Sequence, residues 1–339
     1  HGSWGIETRS LSASEAMEDG MPGYNLLGGS IEQEEWDYPA AFYPDGNASI
    51  ARLMVQKLIP QVAPGSDASN IAIAKFDYAQ LDKNSSPARI RLNSTVINVA
   101  NTRNGVAVTY LHEGQPLRVM ARHCVTACYH SNLPYLCPDF PEEQKEAQKY
   151  QVKIPLLLTN VLLRTGEALD KLGITGITCP GRMHAQIFMF HGINNGGYRD
   201  GTDEPGPVTL TLWGSISPPA DTVDIKDQLR ASRTRMLALT FEDYEREVRT
   251  VLDGLLGPAG FDVQKDILAI TVNRWPHGYA YEYMDLWDPD WAPGKAPHET
   301  ARKPFGNIAI ANADAGAQAY THVAIDQAFR AVQELSVST

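Results

Sequence analysis

The 339 residues are 43% hydrophobic and carry a formal charge of −11, from 40 acidic and 29 basic side chains. This composition predicts a folded globular chain of one large or two ordinary domains, and the absence of a basic run excludes nucleic acid as an expected partner. The sequence has no apolar run near the roughly 20 residues of a membrane span, and its cysteines form neither a CxxC motif nor a disulfide framework.

The first half of the chain predicts one helix and then strands. The stretch PDGNASIARLMVQKLIPQVAPG has apolar residues at helical spacing after an Asp-Gly turn and predicts a capped helix of about three turns that Pro60 ends. The stretch RIRLNSTVINVANTRNGVAVTYLHEGQPLRVMARHCVTACY alternates like strands, with hairpin signals at Asn104-Gly105 and Glu113-Gly114. It predicts a three-stranded meander followed by an apolar strand.

The second half predicts helices and strands in irregular order. PEEQKEAQKY predicts a charged helix, and VKIPLLLTNVLLRT, AQIFMF, PVTLTLWG and DILAITVNRW predict strands. One amphipathic helix is expected over about 222–256, and the aromatic region 276–304 predicts an ordered loop of the kind that often lines sites. A strand at 308–312 and a helix at 320–335 close the chain. Because the block after Pro138 has no regular βαβ rhythm, it is assigned to a separate lobe. The predicted fold class is mixed, an α/β fold with α+β character.

The last strand and helix are joined by a turn of small residues, within GNIAIANADAGAQAYTHVAIDQAFRAVQEL. The start of a helix presents unpaired N–H groups and a positive dipole end, and small side chains leave room for a ligand. Asp314 in this turn is able to accept a hydrogen bond from a hydroxyl group. The turn therefore indicates a docking surface for an anionic or electron-rich group, with a tightly packed strand-helix junction as the alternative.

The amino-acid sequence of this segment also resembles a known family signature. IANADAGAQAYTHVAIDQAFRAV resembles the C-terminal flavin signature of FAD-dependent amine oxidases. Together with FYPDGNASIARLMVQKLIP, ARHCVTACY, KIPLLLTNVLLR and NRWPHGYAYEY in the same order, it makes the whole chain similar to bacterial spermidine dehydrogenases. The GxGxxG turn with which such enzymes begin is missing from this sequence, so the chain resembles the C-terminal part of the family. It is then either a fragment or one of two polypeptides, and a second polypeptide carrying the N-terminal half is an expected partner.

The resemblance implies a division of the chain. It implies the C-terminal part of the FAD/NAD(P)-binding, Rossmann-like amine oxidase fold, with a substrate domain of mixed sheet and helices. Residues 1–42 are then a substrate-domain or linker segment, and 43–137 belong to the FAD-binding domain. Residues 138–303 form the substrate-binding domain, and 304–339 supply the C-terminal strand and helix of the FAD-binding domain.

The resemblance also implies cofactor contacts. Val96, in LNSTV, matches a residue whose backbone contacts adenine. Asp314 matches the acid that faces the ribityl or pyrophosphate part, and Ala313 stands where the family usually has glycine. Thr321 aligns with the residue whose amide faces the flavin pyrimidine edge, and His322 follows it at the start of the helix. No cysteine occurs in RWPHGYAYEY, so the FAD is expected to be non-covalent.

The substrate site implied by the resemblance is aromatic. Tyr320 aligns with one wall of an aromatic cage over the flavin, where a ring face attracts an ammonium ion. The second wall comes from Trp275, Tyr279 or Tyr281. Asn47 lies where some relatives present an amide to the substrate, with a helix cap as its alternative role. No metal ligands are predicted.

The implied reaction is oxidation of a polyamine such as spermidine. Hydride passes from a C–H bond to flavin N5, which gives an imine that water hydrolyses to an aldehyde and a shorter amine. The distant charges of a polyamine need carboxylates, for which the aromatic loop offers Glu282, Asp285, Asp288 and Asp290. Electrons then leave to oxygen, a quinone or a haem protein.

Several points stay open at this level. The spermidine dehydrogenase resemblance brings a haem, with no ligand assignable among His112, His130, His184 and His191. Two other functions are consistent with the sequence: another flavin oxidoreductase of desaturase type, and a non-catalytic subunit or remnant. The compartment is unassigned, with a periplasmic or other extracytoplasmic location as one option.

Overall fold

The structure is a computed structural model that describes residues 5–18, 23, 43–190, 193–199 and 206–337. The chain forms two compact units, each assembled from three stretches of sequence. Unit 1 comprises His1–Arg91, Leu157–Ile216 and Met236–Arg274, and unit 2 comprises Leu92–Leu156, Ser217–Arg235 and Trp275–Thr339. The domain limits implied by the resemblance stay a prediction.

Helices and strands alternate along the described chain, which confirms the predicted mixed fold class. The helices are α1 (Ala13–Glu18), α2 (Ala48–Leu58), α3 (Leu133–Leu136), α4 (Glu142–Tyr150), α5 (Glu167–Leu172), α6 (Ile225–Ala238), α7 (Phe241–Leu256), α8 (Pro297–Ala301) and α9 (Thr321–Val337). The strands are β1 (Ser94–Thr102), β2 (Gly105–His112), β3 (Gln115–Ala121), β4 (Cys124–Thr126), β5 (Ile154–Leu163), β6 (Gly176–Thr178), β7 (His184–Met189), β8 (Val208–Gly214), β9 (Ile267–Tyr279) and β10 (Ile308–Ile310).

Unit 1 is built on a five-stranded sheet of order β6-β7-β8-β5-β9. The β6–β7, β7–β8 and β5–β8 pairs are antiparallel. Helix α7 supplies its apolar stripe to this core, because its buried residues recur at helical spacing. The core joins both layers, with Val161, Leu163, Ile187, Leu210 and Leu212 from the sheet and Val248, Val251, Leu252 and Leu256 from α7. Each such fully buried side chain contributes about 1.5–3 kcal/mol.

The single helix predicted over 222–256 is wrong, because the structure has two helices, α6 and α7, separated at Leu239 and Thr240. Thr240 is extended at φ −85° and ψ 168°, and its hydroxyl accepts a hydrogen bond from the backbone N–H of Asp243. The Asp243 carboxylate in turn accepts from the backbone N–H of Thr240 at 3.0 Å. This reciprocal capping box satisfies N–H groups at the start of α7 and so favours a new helix at this point.

Unit 2 contains the predicted three-stranded meander β1-β2-β3, which is confirmed with both hairpins antiparallel. At the second hairpin Glu113 and Gly114 have φ of 49° and 77°, the pair of positive values that a tight two-residue turn requires. At the first, a Cβ on Gly105 would lie 2.2 Å from the carbonyl oxygen of Ala121, so only glycine fits there.

A parallel pair of strands forms the centre of unit 2. Strand β4 pairs with β10, with Cys124 opposite Ile308 and Thr126 opposite Ile310. The β10 strand is buried throughout, as expected for parallel strands, which are normally covered on both faces. Helix α9 packs on it through small side chains, since Ala309 and Ala311 form one buried cluster with Ala331 and Leu335.

The region 276–304, predicted as loop, is partly regular. Strand β9 extends through Tyr279, and α8 lies at Pro297–Ala301. The prediction is therefore wrong at these two places. Pro297 occupies the first turn of α8, where a missing N–H group costs nothing because that group has no partner within the helix.

We expect Thr240→Ala to lower the free energy of unfolding by about 1 kcal/mol, because it removes the hydroxyl group that accepts a hydrogen bond from the Asp243 N–H. Thr250→Ala is the matched control, since the Thr250 hydroxyl only donates to the Arg246 carbonyl within α7, at 2.8 Å. Urea unfolding followed by circular dichroism measures both. Equal losses in the two variants would contradict the capping role.

Candidate functional site

The small-residue turn lies in unit 2, directly after β10. Asn312 has φ of 95°, residues Ala313–Gly316 form a short 3-10 turn, and α9 begins at Thr321. The Asn312 side chain accepts from the Asp314 N–H at 2.6 Å and donates to the Cys128 carbonyl. A Cβ on Gly316 would lie 2.2 Å from Cγ1 of Val323. Packing of the turn against α9 therefore explains why position 316 is glycine.

Asp314 is buried, with 1% of its surface exposed. Its Oδ1 lies 2.5 Å from Nζ of Lys153, and its Oδ2 accepts from the backbone N–H of His130 at 3.0 Å. Both oxygens therefore have protein partners, although a carboxylate has lone pairs for further hydrogen bonds. The role of Asp314 toward a cofactor stays a prediction.

Lys153 is a residue of this site that the sequence reasoning missed. It is 4% exposed and directly precedes β5, and its ammonium group lies 4.2 Å from the centroid of the Tyr129 ring. The Tyr129 ring is tilted against the imidazole of His277, with centroids 5.9 Å apart. The available signal was a lysine at the head of the otherwise apolar run KIPLLL, because a buried lysine needs an acid partner.

His130 is fully buried beside the Asp314 carboxylate. Its Nδ1 lies 3.0 Å from Nε2 of Gln151, and its Nε2 has no hydrogen-bond partner among the described residues. Burial lowers the pKa of His130 to about 4, opposed by the Asp314 carboxylate. The imidazole is therefore neutral at pH 7.

The aromatic residues predicted for the substrate lie in unit 2. Tyr320 is 59% exposed and stacks on His322 with centroids 5.5 Å apart. Burial raises the pKa of Tyr279, and the neighbouring Glu282 carboxylate and Tyr320 add to the rise. Glu282 accepts from the Ala319 N–H at 2.8 Å, and burial raises its pKa. The structure thus brings Tyr279, Glu282 and the start of α9 together.

The two other candidates for an aromatic wall differ in exposure. Trp275 is 46% exposed on β9, whereas Tyr281 is 2% exposed. The Tyr281 hydroxyl donates to the buried carboxylate of Asp288, which also accepts from Tyr150 at 2.6 Å. The Tyr281 hydroxyl is therefore engaged in a hydrogen-bonded cluster, and a ligand would contact Tyr281 through its ring.

Val96 lies on β1 at the rim of an apolar groove of about 460 Å³. The lining combines β1 and β2 with the segment Cys124–Cys128 and with α3, through Val96, Val99, Val108, Val125, Tyr135 and Leu136. The volume is in the range of small-molecule sites. Asn47, by contrast, is in unit 1 at the N-cap of α2, where its side chain makes no capping hydrogen bond.

Among the histidines considered for haem, His130 and His184 are fully buried, and burial lowers the pKa of His184 to about 4. His112 lies on β2 near Ser94, and His191 is outside the described residues. Within the described ranges, no three His, Cys, Asp or Glu side chains are grouped so that they could hold a metal ion. Among the same residues, no helix is long and apolar enough to cross a membrane.

Comparison with known proteins gives only distant structural likeness. No family model and no curated protein matches the chain. Solved structures similar to it include cyclohexylamine oxidase from Brevibacterium oxydans, at 14% identity over 71% of this chain and 48% of that one, with a TM-score of 0.46. A putrescine oxidase variant from a redesign of cofactor binding has 16% identity over 73% and 49%, with a TM-score of 0.49.

Wild-type putrescine oxidase bound to putrescine is 17% identical over 73% of this chain and 48% of its own, with a TM-score of 0.45. The chain therefore spans about half the length of these solved structures.

We expect Asp314→Asn to lower the free energy of unfolding by about 3–5 kcal/mol, because it leaves the buried Lys153 ammonium without a countercharge. Adding Lys153→Met should recover part of this loss. The control is Glu142→Gln, which removes an exposed partner 3.4 Å from Lys145 and should cost less than about 1 kcal/mol. Urea unfolding measures all three, and similar losses in Asp314→Asn and Glu142→Gln would refute the buried pair.

His130 should make unfolding depend on pH. Its folded pKa of about 4 lies below the usual 6.5, so the unfolded chain binds the proton more strongly. The stability contribution is therefore fully present above pH 6.5 and is lost as the pH falls toward 4. In His130→Gln, the change in unfolding free energy between pH 7 and pH 4.5 should be smaller by about 2 kcal/mol. His112→Gln is the control, and an identical pH dependence in wild type and His130→Gln would contradict this.

Proposed function

We propose that this chain is the C-terminal part of a flavin-dependent amine oxidoreductase that acts on a polyamine of the spermidine type. The observation that carries the proposal is the corner of unit 2, where β10, the Ala313–Gly316 turn and the start of α9 follow one another. This is the order of elements that the flavin-signature resemblance implies. The names of the distant structural neighbours, which are amine oxidases, agree with it.

Recognition of an amine is supported by the groups beside this corner. Tyr320 is exposed at the start of α9, and Tyr279 and the half-buried Glu282 are its neighbours. Aromatic faces and a carboxylate attract an ammonium group. In the proposed function, Tyr320 and Tyr279 orient the amine and Glu282 holds a positive charge of the substrate. A desaturase-type enzyme, which acts on an uncharged substrate, has no need of Glu282.

The residues present fit part of an FAD molecule. The apolar groove at Val96 can accept a flat adenine ring, since its lining is largely aliphatic, and Thr321 with its helix N-terminus favours negative charge. Asp314 already has two protein partners, so its first role in the proposed function is to hold the turn in place. When bound, FAD supplies the acceptor for the hydride.

The missing GxGxxG half is proposed to lie in polypeptide outside these 339 residues. Along a parallel strand, alternate residues direct their N–H and C=O groups to opposite sides. Cys124 N–H bonds to the Asn307 carbonyl and Thr126 C=O accepts from Ala311 N–H, both on the β10 side. The backbone N–H and C=O groups of Val125 therefore point to the other edge of β4. Val125 also lines the apolar groove. A further strand is therefore able to pair with β4 at this edge, beside the groove.

Absorbance tests the proposed function directly. The chain purified with every polypeptide that accompanies it should absorb at about 450 nm, and anaerobic spermidine should bleach that band. Colour that spermidine does not bleach would favour a desaturase-type flavin enzyme. Absence of flavin would favour a non-catalytic subunit. Either of these results would overturn the proposal.

We expect Val96→Arg to weaken FAD binding tenfold or more, roughly 1.4 kcal/mol, because a guanidinium group does not fit the apolar groove. Val119→Arg is the matched control, since Val119 is similarly exposed on β3 but does not line the groove. Titration of FAD fluorescence measures both variants. An equal effect of the two substitutions would exclude Val96 from the cofactor site.

A further inference from the structure

A second concave site in unit 2 lies in the aromatic loop. This pocket, which we call the loop pocket, has a volume of about 360 Å³ and is lined by Tyr281, Tyr283, Asp290, Trp291 and His298 together with small residues that include Ala317. Ala317 ends the turn that contains Asp314. The pocket therefore adjoins the corner described above while using different side chains.

The charges around the loop pocket favour a cation. The Tyr283 hydroxyl donates to Asp290 at 3.1 Å. The pKa of Tyr283 is raised, first by burial, then by this hydrogen bond and by the carboxylates of Asp290, Asp285 and Asp288. The described lining contains no Lys or Arg. Burial, and then the nearby Arg302 cation, lower the pKa of His298, which disfavours the positively charged form of its imidazole.

The same aromatic cluster already holds one ammonium group of the protein. Nζ of Lys226 lies 2.9 Å from the centroid of the Tyr150 ring. The Tyr150 ring meets Trp291 edge-on at 5.6 Å and Tyr281 at 6.0 Å. The Asp288 carboxylate accepts from the hydroxyls of Tyr150 and Tyr281. Aromatic faces backed by carboxylates therefore bind an ammonium in this part of the fold, as cation–π attraction predicts.

The lining also discriminates between kinds of cation. One carboxylate supplies too few oxygens for Ca²⁺, which takes six to eight oxygen ligands. Three aromatic rings instead supply apolar surface that a hydrated metal ion would not use. An anion would be repelled by Asp290 and its acidic neighbours. The chemistry that matches rings, a single acid and a small volume is an alkylammonium ion.

We propose that the loop pocket binds one alkylammonium group, with Asp290 as its countercharge and the faces of Trp291 and Tyr283 as its walls. In a polyamine this would be a nitrogen other than the one oxidised, and only this assignment to the substrate rests on the proposed function. Binding of a simple alkylammonium ion stands independently of flavin.

Calorimetric titration of the 339-residue chain with n-butylammonium chloride, and separately with 1-butanol, tests the loop pocket. The ammonium should bind and the alcohol should not. Asp290→Asn should weaken butylammonium binding by at least about fivefold, and Trp291→Leu by roughly 3- to 30-fold, the range of cation–π interactions. Asp285→Asn is the matched control, because it removes the same charge from an exposed acid that does not line the pocket.

The outcomes separate this proposal from the proposed function. Equal binding of butanol and butylammonium, or equal weakening by Asp290→Asn and Asp285→Asn, would overturn the loop pocket. Because Asp290 is exposed, Asp290→Asn is decisive even if Trp291→Leu unfolds, which circular dichroism would show. Selective butylammonium binding by the chain, when the assembly purified with its accompanying polypeptides carries no flavin, would keep the loop pocket and reject the proposed function. Flavin bleaching by spermidine with no effect of Asp290→Asn would do the reverse.

Discussion

The candidate site depends on one buried carboxylate. Asp314 has 1% of its surface exposed and binds the Lys153 ammonium and the His130 backbone N–H. A buried charge is tolerated only with such partners, so three segments distant in sequence are held together: the turn after β10, the segment after β4 and the residue before β5. The position of α9 and of Tyr320 at its start follows from this arrangement, because the turn leads directly into the helix.

The charged side chains of the candidate sites in unit 2 lie in two places, at Asp314 and in the aromatic loop. One cationic group, Lys153, contacts the turn through Asp314 and also lies over the Tyr129 ring. Carboxylates lie in the aromatic loop, where Glu282, Asp288 and Asp290 accept hydrogen bonds. The acidic and aromatic surface suits a cationic substrate, and the small-residue corner suits a flat, electron-rich cofactor. Under the proposed function, the corner would position the reacting carbon and the loop pocket would hold a distant charge of the substrate.

Local features of this fold could be predicted from the sequence, and long-range ones could not. The hairpins were predictable because Glu113-Gly114 is itself the second turn, and the Asn104-Gly105 signal marks the first, where residues 103 and 104 form the turn and Gly105 begins β2. The break between α6 and α7 was missed because Thr240 and Asp243 fit an amphipathic pattern as well as a capping box. The partners of Asp314 lie 161 and 184 positions away along the chain, and no local pattern connects residues at that separation. Lys153 could only have been suspected as a charge within an apolar run.

The central claim is that a flavin ring lies against the Ala313–Gly316 turn and the start of α9. A density map of the assembly purified with bound flavin tests it most directly. The account predicts that the ring system contacts this turn, with Thr321 at one edge and Tyr320 beside the reactive face. A ring bound elsewhere, or a corner filled by side chains of a partner polypeptide with no ring present, would contradict it.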